Sequence, residues 1–208
     1  HPDLIEYAVQ RWGYPGRVYW YEKPFTKSVR QLFAGQGLTF KENNIKKYLE
    51  QYGITAPIKY TSHHKSHAAA GYCTSHFDEA CIVVIDAIGE FQTLSIWKAE
   101  ASDLTCYYSE EYPHSVGLWY SAMTQRAGLK PNEEEYILMG MAAYGDPDRL
   151  YKDIMNDFVY FPHWTEGDLL KFKENLHKGC KDWKPELTTE QDMFDLAAST
   201  QAVYETLF

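Results

Sequence analysis

Three of the eight histidines in this 208-residue sequence lie within five positions, in the segment HHKSHAAAGY that begins at His63. His63 and His67 are four residues apart, and this spacing places two side chains on one face of a helix, about one turn apart. The positive end of the helix dipole favours the neutral imidazole that metal ligation requires. Capping or packing is the alternative use, because the spacing alone is a weak signal for a metal site.

A carboxylate that can complete the set ends the segment ACIVVID, residues 80–86. A continuous apolar run of this length predicts a strand buried on both faces, with Asp86 at its carboxyl end. Open α/β sheets bind ligands at that end of their strands, and a buried carboxylate is costly unless it is paired or bound. We therefore predict that His63, His67 and Asp86 converge on one divalent metal ion.

The segment DAIGE, which follows the apolar run, is predicted to be a turn with two further candidates. Gly89 has no Cβ, so the backbone there can approach a ligand closely. Glu90 would then bind a ribose or another ligand. A simple hairpin turn is the alternative for the same residues.

The elements that must position these groups alternate between strands and helices. Ahead of the histidines, the sequence predicts a strand at 17–24, a helix at 41–54 and a strand at 58–62. A helix then begins at His63 with Ser62 as its N-cap. A hairpin and a third strand are predicted at 80–86, 91–97 and 104–112.

From Ser115 onward the pattern is helical. Helices are predicted at 115–129, 132–145 and 188–208. The last of these is expected to begin with a capping box formed by Thr188 and Gln191. The polar, irregular stretch 163–187 is predicted to be a surface excursion.

Composition excludes several classes of protein. The chain is 45% hydrophobic and 24% charged, as globular domains are, and its net charge of −9 argues against a nucleic-acid-binding surface. It contains neither an apolar run of the ~18 residues that a membrane-spanning helix needs nor a secretory signal. No CxxC pair occurs among the cysteines, so we expect reduced thiols in a cytoplasmic protein. The four cysteines are Cys73, Cys81, Cys106 and Cys180.

Four blocks of the sequence resemble, in order and spacing, the O-carbamoyltransferases of the nodulation and antibiotic-biosynthesis (NodU and CmcH) type. They are HHKSHAAAGY, VIDAIGE, SVGLWYSAMTQRAGLKPNEEEYILMGMAAYGDP and DLAASTQAVYE. The resemblance runs from about residue 15 to residue 208. It implies an α/β fold, one lobe of the actin-, hexokinase- and Hsp70-like (ribonuclease H-like) architecture, with a mixed sheet flanked by helices.

The resemblance also implies an activity. Enzymes of this family transfer a carbamoyl group from carbamoyl phosphate, through a carbamoyl-adenylate made with ATP, onto a hydroxyl group of a small acceptor. Two histidines and an aspartate hold an iron-type metal in the family, and by motif they fall on His63, His67 and Asp86. Fe(II) is therefore expected here, with Mn(II) or Zn(II) as alternatives.

Further site residues follow from the same resemblance. Gly89 and Glu90 are expected to lie near the nucleotide, and His64 is expected either to contact the phosphate or acceptor or to face solvent. Two departures stand out: Ala87 replaces a glycine that is usual in the family, and Ile137 replaces a lysine, which removes a phosphate contact.

The whole chain, 1–208, is expected to be a single partial domain, the first lobe of a longer enzyme, and catalytically silent by itself. Its open lobe face is expected to favour a homo-oligomer, and neither nucleic acid nor membrane is expected as a partner. Two other functions fit the same residues. One is a metal-dependent hydrolase that uses the trio with a bound water, and the other is a binding lobe that has kept the fold without the chemistry.

Overall fold

The structure is a computed structural model that describes residues 2–33, 35, 37, 40–161 and 170–208. Helices flank small parallel and antiparallel sheets, so the mixed α/β class predicted from the sequence is confirmed. The chain divides into two compact units. The first comprises His1–Ile82, Gly89–Phe91 and Lys98–Thr105, and the second comprises Val83–Ile88, Gln92–Trp97 and Cys106–Phe208.

The first unit holds a parallel pair of strands and four helices. The helices are α1 (Pro2–Trp12), α2 (Pro24–Phe33), α3 (Ile45–Glu50) and α4 (His63–Cys73). Strands β1 (Val18–Trp20) and β2 (Ile58–Tyr60) pair in parallel, with Trp20 opposite Tyr60. Ser62 is the N-cap of α4 as predicted, but its side chain makes no capping hydrogen bond. Both parallel strands thus lead directly into the segments that carry the candidate site.

A three-stranded sheet supplies residues to both units. Its strands are β3 (Glu79–Gly89), β4 (Gln92–Glu100) and β5 (Asp103–Glu111), with β4 in the middle. The prediction that β3 is buried on both faces is wrong. The first residues of the strand alternate between exposed and more buried positions, and Val83 is 49% exposed. Within the described part of the chain β3 is an edge strand, so its apolar run is only partly covered. The strand also continues to Gly89, which places Asp86 inside the strand rather than at its end.

The second unit is mainly helical. Its elements are α5 (Val116–Arg126), α6 (Glu135–Met141), α7 (Tyr151–Phe158), α8 (Glu190–Leu207) and the antiparallel strands β6 (Val159–Tyr160) and β7 (Lys171–Phe172). Its core is formed by side chains with almost no solvent exposure, among them Trp119, Met123, Leu138, Ile154, Leu196 and Val203.

The second unit differs from the predictions at the start of α8 and in the segment before it. The capping box of α8 lies one residue later than predicted: Thr189 Oγ1 accepts from the Asp192 N–H at 3.1 Å, and Asp192 Oδ2 accepts from the Thr189 N–H at 2.8 Å. Part of the predicted surface excursion, 163–169, lies outside the described residues. The remainder adds buried side chains to the core, namely Leu170, Phe172, Leu176, Cys180 and Leu187.

The described residues bear on two expectations from composition, which concern membrane-spanning helices and the state of the thiols. None of the helices there is long and apolar enough to cross a membrane. The thiols of Cys73, Cys81, Cys106 and Cys180 are all free, and Cys180 alone among these four is buried.

Candidate metal centre

The predicted pair of imidazoles forms at the start of α4. The Nε2 atoms of His63 and His67 lie 3.0 Å apart, and the two ring centroids are 4.8 Å apart. Two nitrogen ligands of one ion, with bonds of about 2.0–2.1 Å, lie roughly 3 Å from each other. His67 is exposed and His63 is half-buried, so the pair is open on one side. The i, i+4 spacing therefore produces a pair with the separation that a shared ion requires.

The ring of His63 is confined by its neighbours in the first unit. A Cβ added at Gly89 would lie 2.5 Å from His63 Cδ2 and 2.8 Å from His64 Cδ2, so only glycine allows β3 to end against α4 here. Tyr21 packs its ring edge to face against His63, with centroids 5.6 Å apart. The first histidine of the pair thus has little freedom to rotate.

Asp86 is positioned by the contact between β3 and α5. Its Oδ1 accepts from the Ala87 N–H at 2.7 Å. Ser115, the N-cap of α5, accepts from the Leu118 N–H at 3.0 Å and donates to the Ala87 carbonyl at 2.8 Å. A Cβ added at Gly117 would lie 2.8 Å from Ala87 Cα, so the first turn of α5 sits directly on this part of the strand.

The three predicted ligands are divided between the two units: His63 and His67 belong to the first unit, and Asp86 belongs to the second. Two imidazoles and one carboxylate are the donor set of many zinc and non-haem iron sites, which keep other positions open for a substrate. His63, His67 and Asp86 therefore fit a divalent transition metal in number and type, and the histidine pair also fits it in separation.

A fourth group in this region was not found from the sequence. Glu22 is buried, and its Oε1 lies 3.8 Å from His63 Nδ1, while its Oε2 accepts from Lys27 Nζ at 2.8 Å. Glu22 follows the carboxyl end of β1, and His63 follows the carboxyl end of β2, the parallel neighbour of β1. Residues just past the ends of neighbouring parallel strands lie close together, so Glu22 could have been identified only if the pairing of β1 with β2 had been known.

Two other predicted site residues, Glu90 and His64, are buried in the first unit. Glu90 is buried, has a φ of 60° and accepts from the Lys23 N–H at 2.6 Å, while its carbonyl accepts from Arg30 Nε at 3.2 Å. Burial raises the pKa of the Glu90 carboxyl, although the hydrogen bond from Lys23 opposes this. His64 is fully buried, so the alternative that it faces solvent is wrong.

Comparison with known sequences identifies the family of the chain. The family model described as "Carbamoyltransferase N-terminus" matches residues 17–207. The chain belongs to this carbamoyltransferase family. Its similarity to the nodulation protein NolO of Bradyrhizobium diazoefficiens is 33% identity over 47% of the chain, and to NolNO of Sinorhizobium fredii 30% identity over 49% of the chain.

A longer match within the family is to the uncharacterized protein sll1178 of Synechocystis, which is 32% identical over 90% of this chain. The chain covers 36% of the length of that relative, 17% of NolO and 15% of NolNO. These relatives therefore contain much sequence that has no counterpart in the 208 residues.

Proposed function

We propose that this chain contributes the metal-binding part of a carbamoyltransferase that carbamoylates a hydroxyl group of a small acceptor. The observation that carries the proposal is the pair of His63 and His67, whose Nε2 atoms lie 3.0 Å apart in the first unit. It occurs in a chain that matches the carbamoyltransferase family over residues 17–207. Fe(II) is the proposed ion, with Mn(II) and Zn(II) as chemically suitable alternatives.

In this proposal the chain's own residues bind and orient. The two imidazoles and the Asp86 carboxylate hold the ion, and Gly89 provides the space in which the His63 ring sits. When bound, such an ion supplies Lewis-acid polarisation of a carbonyl or phosphoryl oxygen. The exposed side of His67 leaves the pair accessible to a substrate.

Carbamoyl phosphate and ATP are the proposed co-substrates, with a carbamoyl-adenylate between them, and an actin-like lobe is the proposed architecture. Gly89 and Glu90 would then lie beside the nucleotide and His64 beside the phosphate or acceptor. The Glu90 carboxylate already accepts from the Lys23 N–H, so it has one oxygen left for a ribose hydroxyl. The Ile137 side chain is uncharged and cannot pair with a phosphate, so we propose no substrate contact for it.

The experiment is a calorimetric titration of the protein with carbamoyl phosphate, with and without saturating Mn(II). We expect binding that requires the metal and is lost in Asp86→Asn. Asp103→Asn, the same change at an exposed position on β5, serves as the control and should behave as wild type. Binding that is independent of the metal, or equally strong in Asp86→Asn, would contradict the proposal.

Mass spectrometry of the same mixtures, with ATP and a panel of hydroxyl compounds added, separates the alternatives. A carbamoylated acceptor together with AMP supports transfer. Metal-dependent release of free carbamate without a carbamoylated acceptor would indicate that the reaction is hydrolysis rather than transfer. Absence of both metal and carbamoyl phosphate binding would identify a non-catalytic binding lobe.

A further inference from the structure

We propose that Glu22 is a positioning residue that fixes the tautomer and orientation of His63, so that the lone pair of His63 Nε2 is presented to the metal ion. The inference rests on the proposed metal site and goes beyond it, because it assigns a role to a residue outside the three ligands. The two ring nitrogens of His63 face different neighbours. Nε2 of His63 faces His67 at 3.0 Å, and Nδ1 faces Glu22 Oε1 at 3.8 Å.

The two nitrogens of a neutral imidazole have different roles, since one carries the proton and the other is an acceptor. A carboxylate can only accept, so the carboxylate beside Nδ1 favours the proton on Nδ1 and leaves the lone pair on Nε2. Metal-binding histidines commonly direct their second nitrogen at a carboxylate in this way, and loss of that partner typically costs about 10- to 100-fold in metal affinity.

The position of Glu22 is determined by the fold rather than by His63 alone. Ser66 on α4 donates to the Tyr21 carbonyl at 3.3 Å, which ties the chain just before Glu22 to the helix that carries both histidines. On the other side, the Lys23 N–H donates to Glu90 Oε1 at 2.6 Å. Hydrogen bonds on both neighbouring residues thus hold Glu22 beside the His63 ring.

The charge of Glu22 is also supported within the first unit. Lys27 Nζ lies 2.8 Å from Glu22 Oε2, the oxygen that does not face His63. This ion pair gives the buried carboxylate a partner of opposite charge. Oε1 is then available to the imidazole. At 3.8 Å the interaction is electrostatic rather than a hydrogen bond.

The same arrangement explains the short separation within the histidine pair. With the proton of His63 on Nδ1, His63 Nε2 accepts and His67 Nε2–H donates across 3.0 Å in the metal-free protein. His63 is thereby prepared as a ligand before any ion arrives, and His67 is the ring that must change tautomer when an ion binds.

The test is ¹⁵N–¹H long-range NMR of the imidazole rings in the metal-free 208-residue chain, at a pH where the rings are neutral. We expect His63 as the Nδ1–H tautomer and His67 as the Nε2–H tautomer in wild type. Glu22→Ala should shift His63 toward the Nε2–H tautomer. It should also raise the dissociation constant for Mn(II), measured by calorimetry, by about 10-fold or more.

Conservative changes and controls separate positioning from folding. Glu22→Asp should partly restore the tautomer and the affinity, and Glu22→Gln keeps the shape of the side chain if Glu22→Ala does not fold. Lys27→Met removes the ion pair but keeps Glu22, so His63 should retain its Nδ1–H tautomer. Glu50→Gln changes an exposed glutamate on α3 and should have no effect on either measurement.

Two results would overturn the inference: a His63 tautomer that is the same in wild type and in a folded Glu22→Ala, or an Mn(II) affinity that does not change. Failure of the metal proposal itself looks different. In that case wild type binds no Mn(II), and the NMR result on the metal-free protein still decides whether Glu22 sets the tautomer of His63.

Discussion

His63 Nε2 and His67 Nε2 lie 3.0 Å apart at the first turn of α4, with His63 confined and His67 exposed. One ring is therefore held by the fold, while the other can adjust to an ion or a substrate. Because of this asymmetry, we expect the two histidines to contribute unequally to the proposed metal site.

Replacing His67 with alanine is expected to abolish metal binding. The proposed site uses three ligands from the described residues, so wild type should bind Mn(II) or Fe(II) weakly, and two ligands should not retain the ion. Calorimetric titration measures this directly. His76→Ala, at an exposed histidine shortly after α4, is the matched control and should bind as wild type does. Tight binding that survives His67→Ala would place the ion elsewhere.

Gly89→Ala is expected to weaken metal binding without contributing or removing any ligand. The new Cβ would lie 2.5 Å from His63 Cδ2, so the ring must move away from its present place. Displacing one of three ligands should lower the affinity for Mn(II) about 10-fold or more, by analogy with loss of a group that orients a ligand. An unchanged affinity in a folded Gly89→Ala would show that β3 does not constrain the His63 ring.

Gly117→Ala is expected to destabilise the protein because the first turn of α5 touches the strand that carries Asp86. Its Cβ would lie 2.8 Å from Ala87 Cα and 2.9 Å from Ala87 N, and such overpacking typically costs about 1–3 kcal/mol. Gly140→Ala on α6 is the matched control. Apart from its chain neighbours and the backbone of its own helix, no described residue has an atom within 4 Å of its new Cβ, and alanine should stabilise the helix by roughly 1 kcal/mol. Chemical denaturation measures both; equal effects would contradict the close approach.

Asp192 is expected to make the stability of the protein depend on pH. The Thr189 hydroxyl first, then the Thr189 N–H and the Arg149 guanidinium, holds the pKa of the Asp192 carboxyl well below its usual range. The unfolded chain therefore takes up a proton first as the pH falls, and the contribution of Asp192 is present at neutral pH and lost in acid.

The measurement is the free energy of unfolding from pH 7 to pH 3. Wild type should lose more stability over this range than Asp192→Asn, which is already less stable at pH 7. Asp148→Asn, at an exposed position before α7, should retain the wild-type slope. A wild-type slope in Asp192→Asn would refute this assignment.

The sequence predicted the local part of the site well. The four-residue spacing of His63 and His67 and the strand that precedes them are local features of the sequence. Helix geometry then places the two imidazoles side by side. Asp86 was placed on the correct strand, but its position at a buried strand end was wrong. Whether an apolar run is covered on both faces depends on which strands pair with it, and the run itself does not contain that information.

Long-range features were harder to predict. Glu22 reaches His63 only because β1 and β2 pair in parallel, and neither short strand signals its partner. His64 is polar and adjacent to a ligand, yet it is fully buried. Its burial follows from the close approach of β3 at Gly89, a contact between segments distant in the sequence.

The most direct test of the metal site is anomalous diffraction at the iron edge from crystals of the protein grown or soaked anaerobically with Fe(II). The account predicts one anomalous peak that is shared by His63, His67 and Asp86, and the loss of that peak in crystals of Asp86→Asn. A peak at other residues, or no peak among these three side chains at saturating Fe(II), would contradict it.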